Sequence, residues 1–146
     1  MLLSRAALYA QGEDLHVAVW PGNARNTRDI TRFVAMEGRS YVASVSGLMR
    51  REMFGEHSEW RLQARAVAPE VLANGGSCLA GPDGEWLIAP AGPEEALLTA
   101  TLDFRRVLEA RHSLDPAGHY SRPDVTRLTV DRRRQGLVEM TDLGGG

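Results

Sequence analysis

The apolar positions of this chain change period several times, and each change predicts an element. Near the start, Leu2, Leu3, Ala6, Ala7, Leu8 and Tyr9 recur at helical spacing, so a helix is predicted over 2–11. Gly12 stands where that helix should stop, although no Ser, Thr, Asp or Asn precedes the run to cap its first turn. "LHVAVW" is apolar on nearly every position, which predicts a strand over 15–20 covered on both faces, ended by Pro21-Gly22. "NTRDITRFVAMEGRS" returns to the helical period. It predicts a helix over 27–38 with Asn26 or Thr27 as cap, Ile30, Phe33 and Val34 on its apolar side, and Gly38 at its end. "YVASVSG" is a second strand, over 41–47. Strand, helix, strand in this order implies a right-handed parallel crossover.

Further along the signals weaken. Residues 48–74 are polar and punctuated by Gly55, and they read as a surface loop with short helical pieces. Pro82-Asp83-Gly84 has turn chemistry, so strands over 77–81 and 85–89 form a hairpin. "ALLTATLD", 96–103, predicts another strand, "FRRVLEARHSL" a short helix, "DPAGHYSRPDV" an extended polar stretch, and "RLTV" a last strand. One domain over 1–134 and a disordered tail over 135–146 complete the reading. The sequence contains no internal repeat.

With 146 residues, 43% hydrophobic and 25% charged, the chain is ordinary for a globular domain with its own core. A net charge of -2 gives no field that draws it to nucleic acid or to an anionic membrane. Arg132 to Arg134 have no interleaved aromatics and read as a solvated strand end. No run of apolar residues is long enough to span a bilayer. The N-terminal run is interrupted by Arg5 and too short for a secretory signal. A single cysteine, which forbids an internal disulfide, suits a cytoplasmic protein. All 17 basic residues are Arg, so no catalytic lysine comes from this chain.

Four stretches in order, "RAALYAQGEDLHVAVWPG", "DITRFVAMEGRSYVASVSG", "ANGGSCLAGPDGEWLIAP" and "DPAGHYSRPDVTRLTV", closely resemble the C-terminal half of nitrilases in the carbon–nitrogen hydrolase superfamily. The resemblance runs from about Leu2 to Arg134. It implies an α/β fold, one half of an αββα sandwich: a mixed sheet with helices on one face. It implies hydrolysis of a nitrile to carboxylate and ammonia, through a Cys thiolate with a Glu base and a Lys beside the tetrahedral intermediate. In the family these residues precede the "RAALYAQG" helix, so all three would lie before residue 1. The chain reads as a truncated fragment, inactive alone. The alternative is a non-enzymatic remnant that self-associates through its helices.

The residues themselves give the same answer. A nucleophilic Cys needs a thiolate beside a base and a positive or amide-rich surrounding. Cys78 sits in a predicted hairpin strand with no helix start after it, a place for an inert buried thiol. His57, near Glu56 and Glu59, has nothing to order a dyad with Cys78. Asp115 and His119 are two ligands without a third, so no metal is expected. No catalytic residue and no cofactor is assigned. Trp20 and Pro21 end a strand that points at the family's pocket, and Trp20 reads equally as core. Ser46 and Gly47 end the neighbouring strand, so Trp20, Pro21 and Ser46 are the candidate substrate-binding residues. His119, Tyr120, Arg122 and Asp124 read as a polar cluster, and the resemblance puts that stretch near a dimer interface. Ala6, Arg28, Arg32, His119 and Arg122 are the candidate interface residues of a homo-oligomer.

Overall fold

The computed structural model describes residues 2–54, 59, 71–133 and 136. Its elements in chain order are α1 (Leu2–Tyr9), β1 (Leu15–Trp20), α2 (Ala24–Gly38), β2 (Tyr41–Ser46), β3 (Leu48–Arg50), a 3-10 turn (Arg51–Met53), β4 (Val71–Asn74), β5 (Cys78–Ala80), β6 (Trp86–Ile88) and α3 (Arg105–Ser113). The main sheet has the order β1-β2-β5-β6, and β3 pairs with β4 in a second, two-stranded sheet. β1 and β2 run parallel in the register Leu15↔Tyr41 to Trp20↔Ser46, as the crossover pattern predicts. β5 and β6 add antiparallel, which makes the sheet mixed.

Side-chain alternation assigns the two faces. Val42, Ser44, Cys78 and Ala80 share one face, because Ser44 pairs with Cys78 and Val42 with Ala80. α2 lies on that face, and its Val34 and Ala35 are buried against Val42 and Ala80. α1 lies on the same side. Its Arg5 and Leu8 line one cavity with His16 and Ala18 of β1 and Ile30 and Val34 of α2. The two helices are locked by Glu37, whose carboxylate accepts from Arg5 Nε at 2.9 Å and from Tyr9 Oη at 2.7 Å. Burial, reinforced by that carboxylate, raises the Tyr9 phenol above its ordinary pKa.

The opposite face carries Leu15, Val17, Val19, Ala43 and Val45. It stays open along β1, where Val17 is 59% and Val19 80% exposed. Its lower end is closed by the chain around α3. Tyr41 is buried, donates to the Asp103 carbonyl at 3.0 Å and takes the Phe104 ring edge-on at 5.9 Å. Arg106 reaches Asp83, and Arg111 reaches Asp14 and the Glu13 carbonyl. α3 thus bridges the end of the sheet where β1 and β2 begin. At its start, Arg105 donates backbone and guanidinium N–H groups to Asp103, holding that carboxyl at about 2.

Several details differ from the sequence reading. α2 begins at Ala24, three residues early, without a side-chain cap from Asn23. The Ala24 N–H is met instead by Asn74 Oδ1 at 2.9 Å, from 50 residues away. Thr27 lies inside the helix, where its hydroxyl donates to the Gly76 carbonyl at 2.7 Å. Gly38 ends α2, but the left-handed residue is Arg39 (φ 49°). Gly38 is needed for contact, since a Cβ there would stand 2.5 Å from the Tyr9 ring. α1 ends at Tyr9 and Gly12 (φ 73°) closes the turn after it. The hairpin forms around Pro82-Asp83-Gly84 with shorter strands than predicted. Residues 48–74 contain β3 and β4, which the polar pattern hides.

Residues 96–103 and 127–130 form no strand. The first passes over the open face with no ladder partner; Leu98 and Ala100 line a small cavity with Ala43, Val45 and Leu79. Residues 115–125 are not extended but folded into turns. Asp115 Oδ1 accepts from the Ala117 and Gly118 N–H groups, and the Arg122 carbonyl accepts from Val125 and Thr126. The predicted tail over 135–146 lies outside the described residues, Gly136 apart.

Candidate functional site

The ends of β1 and β2 and the start of β5 converge at the sheet edge opposite α3. Three loops meet there: Pro21–Asn23, Gly47, and Gly75-Gly76. Gly22 takes a positive φ of 117°, and a Cβ on it would fall 2.6 Å from the Gly47 carbonyl oxygen. Only glycine fits so close an approach with that backbone. Gly76 (φ 95°) is packed as tightly, 2.4 Å from Ala24 Cα by the same construction.

Ser46 is held by three bonds. Its hydroxyl accepts from the Asn23 N–H at 3.1 Å, its own N–H donates to Ser77 Oγ at 3.0 Å, and Ser77 Oγ donates back to the Ser46 carbonyl at 3.2 Å. Beside it opens a cavity of about 250 Å³ whose lining includes Ser46, Leu48, Ser77, Leu98 and the carboxylates Glu94 and Glu95.

A second set of hydroxyls lies on the helix side of the sheet. Thr31 donates to the Thr27 carbonyl at 2.5 Å, which spends its only proton. Ser44 must therefore donate to Thr31, at 2.6 Å, and accept from the Trp20 indole N–H at 3.1 Å. Cys78 Sγ stands 3.5 Å from the same Thr31 oxygen. Thr27, Thr31 and Ser44 are all buried and all satisfied, which is what makes a polar core layer tolerable.

The structure divides the sequence candidates. Ser46 lines the cavity. Trp20 does not: its ring turns to the helix side, with its N–H on Ser44, and lines the separate cavity under α1 and α2. Pro21 is exposed at the strand end. Cys78 is buried on the helix face, with Thr31 as its polar neighbour. His57 and Arg134 lie outside the described residues. Among the described residues no cluster of three metal-ligating side chains occurs, and no helix is long and apolar enough to cross a membrane.

The candidate interface residues are mostly engaged within the chain. Arg32 donates to the Gly84 carbonyl at 2.7 Å and lies over the Trp86 ring at 5.7 Å. Arg122 forms a two-point pair with Asp124 at 2.8 and 2.6 Å, and the His119 and Tyr120 rings meet at a tilt of 55° with centroids 4.9 Å apart. Arg28 is exposed, and Ala6 lines a groove of about 560 Å³ between α1 and residues 116–130. Sequence reasoning missed Ser77, Leu48 and Leu98 at the cavity. Ser77 precedes Cys78 in a short apolar strand, where a serine carries no signal of its own.

No family model matches the chain. Among curated proteins it is 40% identical to a nitrilase of Pseudomonas syringae over 97% of its own length and 45% of that protein's. It is 35% identical to an aliphatic nitrilase of Rhodococcus rhodochrous (98% and 40%) and 33% identical to nitrilase 1 of Arabidopsis thaliana (94% and 41%). The fold matches a carbon–nitrogen hydrolase from Helicobacter pylori with a TM-score of 0.61 at 19% identity, over 84% of this chain and 43% of that one. The chain thus matches nitrilases along nearly all of its length while spanning under half of theirs, and its mixed α/β architecture matches part of a carbon–nitrogen hydrolase fold.

Proposed function

We propose that this chain supplies one wall of a nitrile-hydrolysing site whose nucleophile, base and cation come from outside its 146 residues. The likeness to nitrilases supports the reaction: nitrile plus two waters to carboxylate and ammonia. The observation that carries the division of labour is the placement of Cys78. Thiolate attack needs an accessible sulfur beside a base and donors for the developing negative charge. Cys78 is buried beneath α2, its sulfur facing a neutral hydroxyl. The chain has no lysine to stand beside the intermediate. What it does offer is a cavity at the strand ends with Ser46 in its wall.

The test is ammonia release from aliphatic and aromatic nitriles. The purified chain should release none. A chimera in which it replaces the matching segment of the Pseudomonas syringae nitrilase should release ammonia. Turnover by the chain alone would contradict the proposal.

A second reading, self-association through the helices, is favoured by the groove along Ala6, Ala7 and Ala10 and by Leu3, which is 68% exposed. Ala6→Arg should then lower the sedimentation coefficient by placing an unpaired charge in the contact. An unchanged coefficient removes α1 from any interface.

A further inference from the structure

We propose that Ser77 is the positioning residue of the cavity beside Ser46; the inference rests on the nitrile-site reading above. The β2–β5 ladder runs from Val42↔Ala80 to Ser44↔Cys78 and stops there. A continuing ladder would bring β5's backbone against Ser46 and fill the space beside it. Instead the chain turns away through Gly75 and Gly76, both at positive φ, and Gly76 N–H is taken by the Ala91 carbonyl at 3.0 Å.

Ser46 would lose both backbone partners by this departure. One side-chain oxygen replaces them: Ser77 Oγ accepts from the Ser46 N–H and donates to its carbonyl. A hydroxyl is suited to this, because it donates once and accepts twice from a single atom. The result is a β2 end whose N–H and C=O are both met, next to a cavity of about 250 Å³. Leu48 and Leu98 face the same space and supply its apolar part, which fits the hydrocarbon part of a nitrile, while Glu94 and Glu95 also line it.

Amide hydrogen exchange on the purified chain, with benzonitrile and butyronitrile titrated by NMR, tests this. Ser77→Ala should speed exchange at the Ser46 N–H by about tenfold while Ser44 and Val42 keep their protection. It should also abolish nitrile-induced shifts at Leu48 and Leu98. Ser77→Thr, which keeps the hydroxyl, should restore both. Should Ser77→Ala fail to fold, Ser77→Cys keeps the volume with a poor hydrogen-bonding atom and makes the same comparison. Unchanged Ser46 exchange would overturn the proposal, and so would fast exchange with undiminished nitrile shifts. If the unsubstituted chain shows no nitrile shifts, the cavity does not take nitriles in this chain and the positioning proposal is overturned, while the nitrile reading is still decided by ammonia release from the chimera.

Discussion

The two faces of the main sheet are built from similar strands and end in opposite states. On the helix side, Val42 is 1% and Ala80 0% exposed, and the Ser44 hydroxyl of that face is buried with those of Thr27 and Thr31 in a closed set. On the other side, Val19 of β1 and Val45 of β2 stand next to each other at 80% and 50% exposed. Burial on the first face removes apolar surface from water and leaves no polar atom of Ser44, Thr31 or Thr27 unmet. The second face has the composition of a core without its cover. The strands carry apolar side chains on both faces, and among the described residues only one face is closed, apart from the end that Asp103, Phe104 and residues 98–100 reach.

The largest expected effect tests the closed face. Val42→Ala should cost about 2 kcal/mol in urea unfolding, because the lost methyls leave a space between α2 and β5. A cost under about 0.5 kcal/mol would mean that the face is not the core.

A smaller effect tests what docks α1 onto that side. Tyr9→Phe should cost about 1 kcal/mol through loss of its bond to Glu37. The pH dependence has a definite sign. The folded chain holds the Tyr9 proton above the ordinary value of 10.0, chiefly because the phenol is buried and then because Glu37 accepts its proton. Its stabilisation is therefore full below pH 10 and is lost as pH rises through 10 toward the raised value. Thermal melts at pH 8 and pH 11 should differ more for the unsubstituted chain than for Tyr9→Phe. Equal differences would deny the contact.

The smallest effect on stability belongs to the open face. Val19→Ser should change unfolding by no more than about 0.5 kcal/mol, since an exposed side chain loses little. It should nevertheless reduce binding of a hydrophobic dye, because Val19 contributes to an apolar patch of the kind that folded surfaces seldom leave open. A loss of stability matching that of Val42→Ala would erase the distinction between the faces.

How much of this was legible depends on where each bond partner lies in the chain. β1, α2 and β2 follow from local periodicity, and their parallel order follows from chain handedness. The hairpin follows from Pro82-Asp83-Gly84. The start of α2 was misjudged because its first N–H is capped by Asn74, a partner invisible to any local rule. β3 and β4 are stabilised by pairing with each other across a long polar stretch, and neither carries a clear apolar alternation. Residues 96–103 show the reverse error. "ALLTATLD" is apolar and strand-prone, but it covers part of the open face without entering the ladder. At the candidate site, Ser46 was readable as the end of a strand. Trp20 was ambiguous between pocket and core, and Ser44 draws its N–H to the helix side. Ser77 had no sequence signal, because its role depends on a ladder that stops one residue away.

The central claim is that the chain shapes the site and does not carry its nucleophile. The most direct measurement is the rate of ammonia release from benzonitrile by the chimera described above, with and without Cys78→Ala. Cys78 only fills space under Thr31, so the substituted chimera should keep most of its rate, losing stability at most. Loss of turnover in a Cys78→Ala chimera that still folds would make Cys78 the nucleophile and contradict the account.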